Sequence, residues 1–124
     1  MIGYQYAVLR FVPAVEREEF VNIGVVVYAQ MADHLSVEWL VRSDLVRALA
    51  PEVDLSEIET ALASLRACAA GESAPGKPSI RSLGARFGWL VAPRSTAIQP
   101  GPVHGGLTDD PAAEARRLLD RLVG

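Results

Sequence analysis

Apolar and polar positions alternate over Gly3–Val12, with Gln5, Ala7, Leu9 and Phe11 on one side and Tyr4, Tyr6, Val8 and Arg10 on the other. That period of two predicts a strand. Pro13 ends it by removing a ladder donor. The charged turn Glu16-Arg17-Glu18-Glu19 reverses the chain into a second strand, Phe20–Tyr28. Here Val21, Ile23, Val25 and Val27 make an apolar face opposite Phe20, Asn22, Gly24, Val26 and Tyr28. A strand apolar on both sides belongs in the middle of a sheet. Asp33 and His34 turn the chain into a third strand, Leu35–Val41, with Leu35, Val37, Trp39 and Val41 facing one way and His34, Ser36, Glu38 and Leu40 the other. Strands joined by links this short predict an antiparallel meander.

The period then lengthens. Ser43 caps a short helix through Leu49 that Pro51 stops. A longer helix follows, with Asp54 or Ser56 as its N-cap and Glu57 or Glu59 completing a capping box. Leu55, Ile58, Leu62, Leu65 and Ala69 recur at helical spacing, and Gly71 is a C-terminal stop. Glu72–Ser79, with glycine, serine and two prolines, predicts a weakly ordered surface linker. Ile80, Leu83, Phe87 and Leu90 suggest a short helix interrupted at Gly84 and Gly88. At the end, Asp110 as N-cap, Pro111 at the first helical position and Ala115, Leu118, Leu119 and Leu122 describe a terminal helix. The expected fold is α+β, one domain over residues 1–124, an antiparallel sheet of three to four strands with helices mainly on one face.

Between these elements, Ala92–Gly106 gathers Arg94, Ser95, Thr96, Gln99 and His104 among three prolines and three glycines. It reads as a loop, and loops on rigid scaffolds tend to carry function. Ser95–Gln99 is extended enough to add a fourth strand at either edge of the meander. Arg94, Ser95 and Thr96 offer a guanidinium fork and two hydroxyls suited to a phosphate or carboxylate, with His104 as an acid or base of ordinary pKa near 6.5. The bland alternative pairs Arg94 with Glu38 or a turn glutamate and turns the hydroxyls to local backbone. Arg10, Asn22 and Glu38 are polar groups in otherwise apolar strands, and each unpaired buried group costs about 1 to 3 kcal/mol. Arg94, Thr96 or His104 are their expected partners. Gly24, in mid-strand, marks a bulge, a close contact with Trp39, or room for the Arg94 loop or a ligand.

Composition narrows the function classes. Half of the 124 residues are apolar and 22% are charged, as in a folded globular chain. No apolar run approaches the roughly 20 residues of a membrane span, and Met1–Tyr6 lacks signal-peptide character, so a cytoplasmic protein is expected. One cysteine, Cys68, and two distant histidines, His34 and His104, give no metal site; Cys68 reads as core filler. No catalytic or cofactor motif of high specificity is present, and no cofactor is expected. Met1–Gly71 holds five arginines against ten acids, whereas Ser73–Thr108 holds Lys77, Arg81, Arg86 and Arg94 and no acid. A small basic patch beside the loop follows, but the net charge of −3 disfavours a nucleic-acid binder. The acidic turn Glu16–Glu19 is either solvated or a docking patch for a basic partner.

Three stretches carry a resemblance. Tyr6-Ala7-Val8-Leu9-Arg10-Phe11-Val12-Pro13, followed by Glu19-Phe20-Val21-Asn22-Ile23-Gly24-Val25-Val26, is similar to the start of the uncharacterised bacterial family called domain of unknown function 3037. Trp89–Thr96 with Gln99-Pro100-Gly101-Pro102-Val103-His104 resembles its closing motif. The resemblance spans almost the whole chain and implies a setting beside HipA-like kinases, hence a toxin-antitoxin association and such a kinase as partner. The motif residues are Arg10, Asn22, Gly24, Arg94, Ser95, Thr96, Gln99 and His104, with no roles attached. The expectation is a non-enzymatic interaction or regulatory module that binds another protein through the polar sheet face and the Arg94–His104 loop. The alternatives are an anion or nucleotide-phosphate binder, with weak hydrolysis included, and a structural homodimer.

Overall fold

The computed structural model describes residues 1–72, 82–94 and 96–124. The linker expected within Glu72–Ser79 lies outside them from Ser73 on, as do Lys77, Ile80, Arg81 and Ser95. β1 (Ile2–Phe11), β2 (Val21–Ala29), β3 (His34–Trp39) and β4 (Ile98–Thr108) form one antiparallel sheet in the order β3-β2-β1-β4. Around it stand α1 (Ser43–Leu49), α2 (Leu55–Ala69), α3 (Leu83–Leu90) and α4 (Pro111–Leu122). The α+β architecture is the expected one, with α1, α2 and α3 on one face and α4 on the other.

β2 departs from simple alternation. Leu9 pairs with Gly24 and Arg10 with Asn22, which leaves Ile23 as an extra residue, a bulge. The bulge reverses the facing of everything before it. Ile23 therefore packs with Leu9, Phe11, Val26 and Val37 beneath α1, α2 and α3, while Val25, Val27 and Ala29 pack with Tyr4, Ala115 and Leu118 beneath α4. The single apolar face expected from Val21, Ile23, Val25 and Val27 is thus divided between two cores. Gly24 permits this, because a Cβ there would stand 2.8 Å from the Glu38 carbonyl oxygen and 3.2 Å from Trp39 Cβ.

β4 is the larger correction. The segment that reads as a loop is mostly strand: from Ile98 onward it pairs along β1, from Phe11↔Ile98 to Ile2↔Thr108. Proline is admitted at edges and bulges, and β4 is an edge strand with two residues, Gly101 and Pro102, opposite Val8 alone. Its glycines also have a reason. The Tyr4 ring lies 2.8 Å from where a Gly106 Cβ would stand, and the Arg10 guanidinium 3.1 Å from one at Gly101. Large β1 side chains lean across the small β4 positions.

The caps differ in detail from expectation. Asp54 caps α2, accepting from Ser56 N at 3.0 Å. The Glu59 carboxylate accepts from Trp39 Nε1 at 2.8 Å instead of closing a capping box. Ser43 is the first helical residue of α1, not its cap; Arg42 holds that position with no side-chain bond. α3 runs unbroken through Gly84 and Gly88, capped by Ser82. Asp110 caps α4 through Ala112 N and Ala113 N. Cys68 is buried in the core beneath α2. No helix among the described residues is long and apolar enough to cross a membrane.

The two sheet edges are unlike. At β3, Arg66 of α2 donates from Nε to the Val37 carbonyl at 3.0 Å, pairs with Glu38 at 3.2 Å and lies 3.9 Å over the Trp39 ring. One long side chain therefore occupies backbone that another strand would need. Among the described residues, β4 has no neighbour beyond it in the sheet.

Candidate functional site

The sequence-predicted residues fall into three places. The first is a row across the sheet, where Arg10 pairs with Asn22 on one side and Gln99 on the other. Asn22 Nδ2 donates to the Leu122 carbonyl at 3.2 Å, tying the end of α4 to β2. Gln99 Nε2 donates to the Thr96 carbonyl at 3.0 Å. The Arg10 guanidinium lies 4.1 Å over the Phe20 ring, and its Nε is buried without a hydrogen-bond partner. The partners expected from Arg94, Thr96 and His104 are therefore supplied otherwise: Asn22 by α4, Glu38 by Arg66, and Arg10 by an aromatic face.

The second place is a groove of about 960 Å³ between α2 and the chain leading into β4. Phe11, Ile58, Leu65, Trp89 and Ile98 make its apolar lining, with Asp54, Ser56 and Glu57 from the α2 side and Arg94 and Thr96 from the other. Arg94 stacks 4.7 Å over the Trp89 ring and donates through Nη2 to the Trp89 carbonyl. Burial pushes its pKa below the usual arginine value, because the charged form loses solvent. No carboxylate among the described residues pairs with it. Thr96 Oγ1 donates to the Ile98 carbonyl at 2.8 Å, so this hydroxyl serves local backbone.

The third place is on the α4 side of the sheet. His104 sits opposite Tyr6, ring centroids 5.3 Å apart, and Tyr6 stacks on Tyr4 at 6.0 Å. Tyr4 Oη donates to Glu114 Oε2 at 2.9 Å, and Glu114 is ion-paired with Arg117. Burial, then the Glu114 hydrogen bond, raises the Tyr4 pKa; the Arg117 bond holds the Glu114 carboxyl below its usual range. Tyr4, Tyr6 and Trp89 were not singled out from sequence. The Tyr-x-Tyr spacing, which puts both rings on one strand face, was the available signal.

Among the described residues, then, Arg94 and Thr96 share a groove, and His104 belongs to a separate aromatic row. What fold and site define together is a four-stranded α+β protein with a recessed apolar groove. A family model described as "Protein of unknown function (DUF3037)" matches residues 6–123, nearly the whole chain, and the chain belongs to that family. No curated protein and no solved structure matches it.

Proposed function

We propose that the protein is a non-enzymatic interaction module that receives a segment of another protein in the groove between α2 and the Trp89–Ile98 chain. The observation that carries this reading is the groove itself, an apolar lining with charged residues of opposite sign on its two sides. Burying aromatic and aliphatic floor positions would supply affinity, and the rims would orient the segment. The matching ligand presents apolar side chains to Trp89, Phe11 and Ile98, a carboxylate to Arg94 and a basic group to Asp54 and Glu57. A HipA-like kinase, the partner that the family resemblance implies, is the first protein to test.

The second reading, an anion or phosphate binder, has one observation in its favour: the half-buried Arg94 guanidinium lacks a carboxylate among the described residues. One experiment separates the two. Tagged protein is captured from its own cells and the co-purifying proteins quantified, beside Ala61→Arg, which blocks the groove from an exposed position on α2, and Arg117→Ala on the opposite side of the sheet. A stoichiometric partner lost with Ala61→Arg and kept with Arg117→Ala supports the module. Equal capture by all three overturns it. A thermal shift with phosphorylated metabolites that Arg94→Ala abolishes would favour the anion site instead.

A further inference from the structure

The free edge of β4 has the chemistry of a self-pairing strand. Natural edge strands are usually blunted by charge, proline or a covering side chain. Ile98–Thr108 holds no Asp, Glu, Lys or Arg. Its two prolines, Pro100 and Pro102, lack the N–H that a neighbour would need and so protect only the first half. The second half, Val103–Leu107, has no proline, so the backbone N–H groups that alternate away from β1 are all present there. It also leaves apolar surface open: Leu107 is 65% exposed and Val103 42%.

We propose that Val103–Leu107 pairs antiparallel with the same segment of a second copy, about a two-fold axis at Gly105, to give a continuous eight-stranded sheet. The register follows from the sequence. With Gly105 on the axis, Val103 of one copy faces Leu107 of the other twice over, and His104 faces the second copy's Gly106. Gly105 puts no side chain at the point of closest approach. Val103, Gly105 and Leu107 share the face away from the Tyr6–His104 stack, since successive residues of a strand alternate. The two Val103–Leu107 pairs therefore form one apolar strip. On the other face, His104 comes beside the Gly106 over which the second copy's Tyr4 ring lies, extending the Tyr4-Tyr6-His104 row. The register also puts Pro102 against Thr108 and Asp109 against Gly101, so no like charges meet. A self-complementary patch of this kind is what a two-fold interface requires.

Sedimentation of the full chain tests the state, and cysteine pairing tests the register. Wild type is expected at twice its 13.3 kDa mass. Val103→Lys/Leu107→Lys, changed only at exposed positions, is expected as a folded monomer by circular dichroism and sedimentation. Directly opposite residues bring Cβ atoms to about 4.5 to 5.5 Å, close to disulfide range. Mixing Val103→Cys protein with Leu107→Cys protein under mild oxidation should then yield a cross-linked dimer that neither forms alone. Buried Cys68 does not compete. A wild-type monomer, a lysine variant that remains dimeric, or cross-linking of either single variant as fast as the mixture would each overturn the proposal.

Discussion

Gly24→Ala puts the β2 bulge to a quantitative test. The new methyl carbon would stand 2.8 Å from the Glu38 carbonyl oxygen, 3.2 Å from Trp39 Cβ and 3.4 Å from Leu9 Cδ1. The first of these is backbone in a paired strand, so relief requires β2 and β3 to separate or the bulge to re-form elsewhere. Overpacking of this kind costs about 1 to 3 kcal/mol. Against it, alanine restricts the unfolded chain and returns about 0.4 to 1 kcal/mol. The net expectation is a loss of about 1 to 2 kcal/mol, which for a domain of this size lowers Tm by roughly 3 to 10 °C. Urea unfolding followed by Trp39 and Trp89 fluorescence reads the free energy, and a thermal melt reads Tm. Gly88→Ala is the internal control: it lies exposed within α3 with nothing within 4 Å of its would-be Cβ. That change should stabilise by about 0.5 to 1 kcal/mol. If Gly24→Ala matches wild type or behaves like Gly88→Ala, the account of the bulge is wrong.

Leu62→Ala, at a fully buried α2 position, should cost about 2 to 5 kcal/mol and lower the urea midpoint accordingly. Asp110→Ala removes the acceptor for two α4 amides and should cost about 1 kcal/mol, with Asp110→Asn recovering most of it. His34 carries a pH signature: burial lowers its pKa despite Asp110 and Glu38 nearby. Its unfolded form binds the proton more readily, so stability is complete above about pH 6.5 and falls as pH drops through that value toward the lower folded pKa. A Tm-against-pH profile should show that slope, and His34→Gln should flatten it; an unchanged slope would remove His34 as its source.

Where local pattern and tertiary environment agree, the sequence is readable. The meander, α2 and α4 follow from period, caps and turns, and Asp54 and Asp110 cap as their spacing says. Gly24 signalled that β2 was irregular, but the inversion it causes depends on which residue of β1 each side of the bulge meets. β4 was hidden for another reason. Pro100, Gly101, Pro102, Gly105 and Gly106 carry loop propensities, and what makes them a strand is an edge position together with Tyr4 and Arg10 lying over two of the glycines. Those contacts join residues more than ninety positions apart in sequence. The site residues behave likewise. Arg10, Asn22 and Gln99 align only through strand register, and the Arg94 groove exists only once α2 is laid against Trp89.

The unlike edges of the sheet limit how far strand pairing can propagate. Indefinite head-to-tail growth needs two receptive edges per molecule, so that each addition exposes a new one. Arg66 occupies the β3 edge with its own guanidinium, so among the described residues β4 is the edge left open to a further strand. Pairing through β4 consumes both open edges at once and ends with two chains. In the proposed pair, a single arginine on α2 would therefore be what keeps the association closed, since it occupies backbone that a further strand would need.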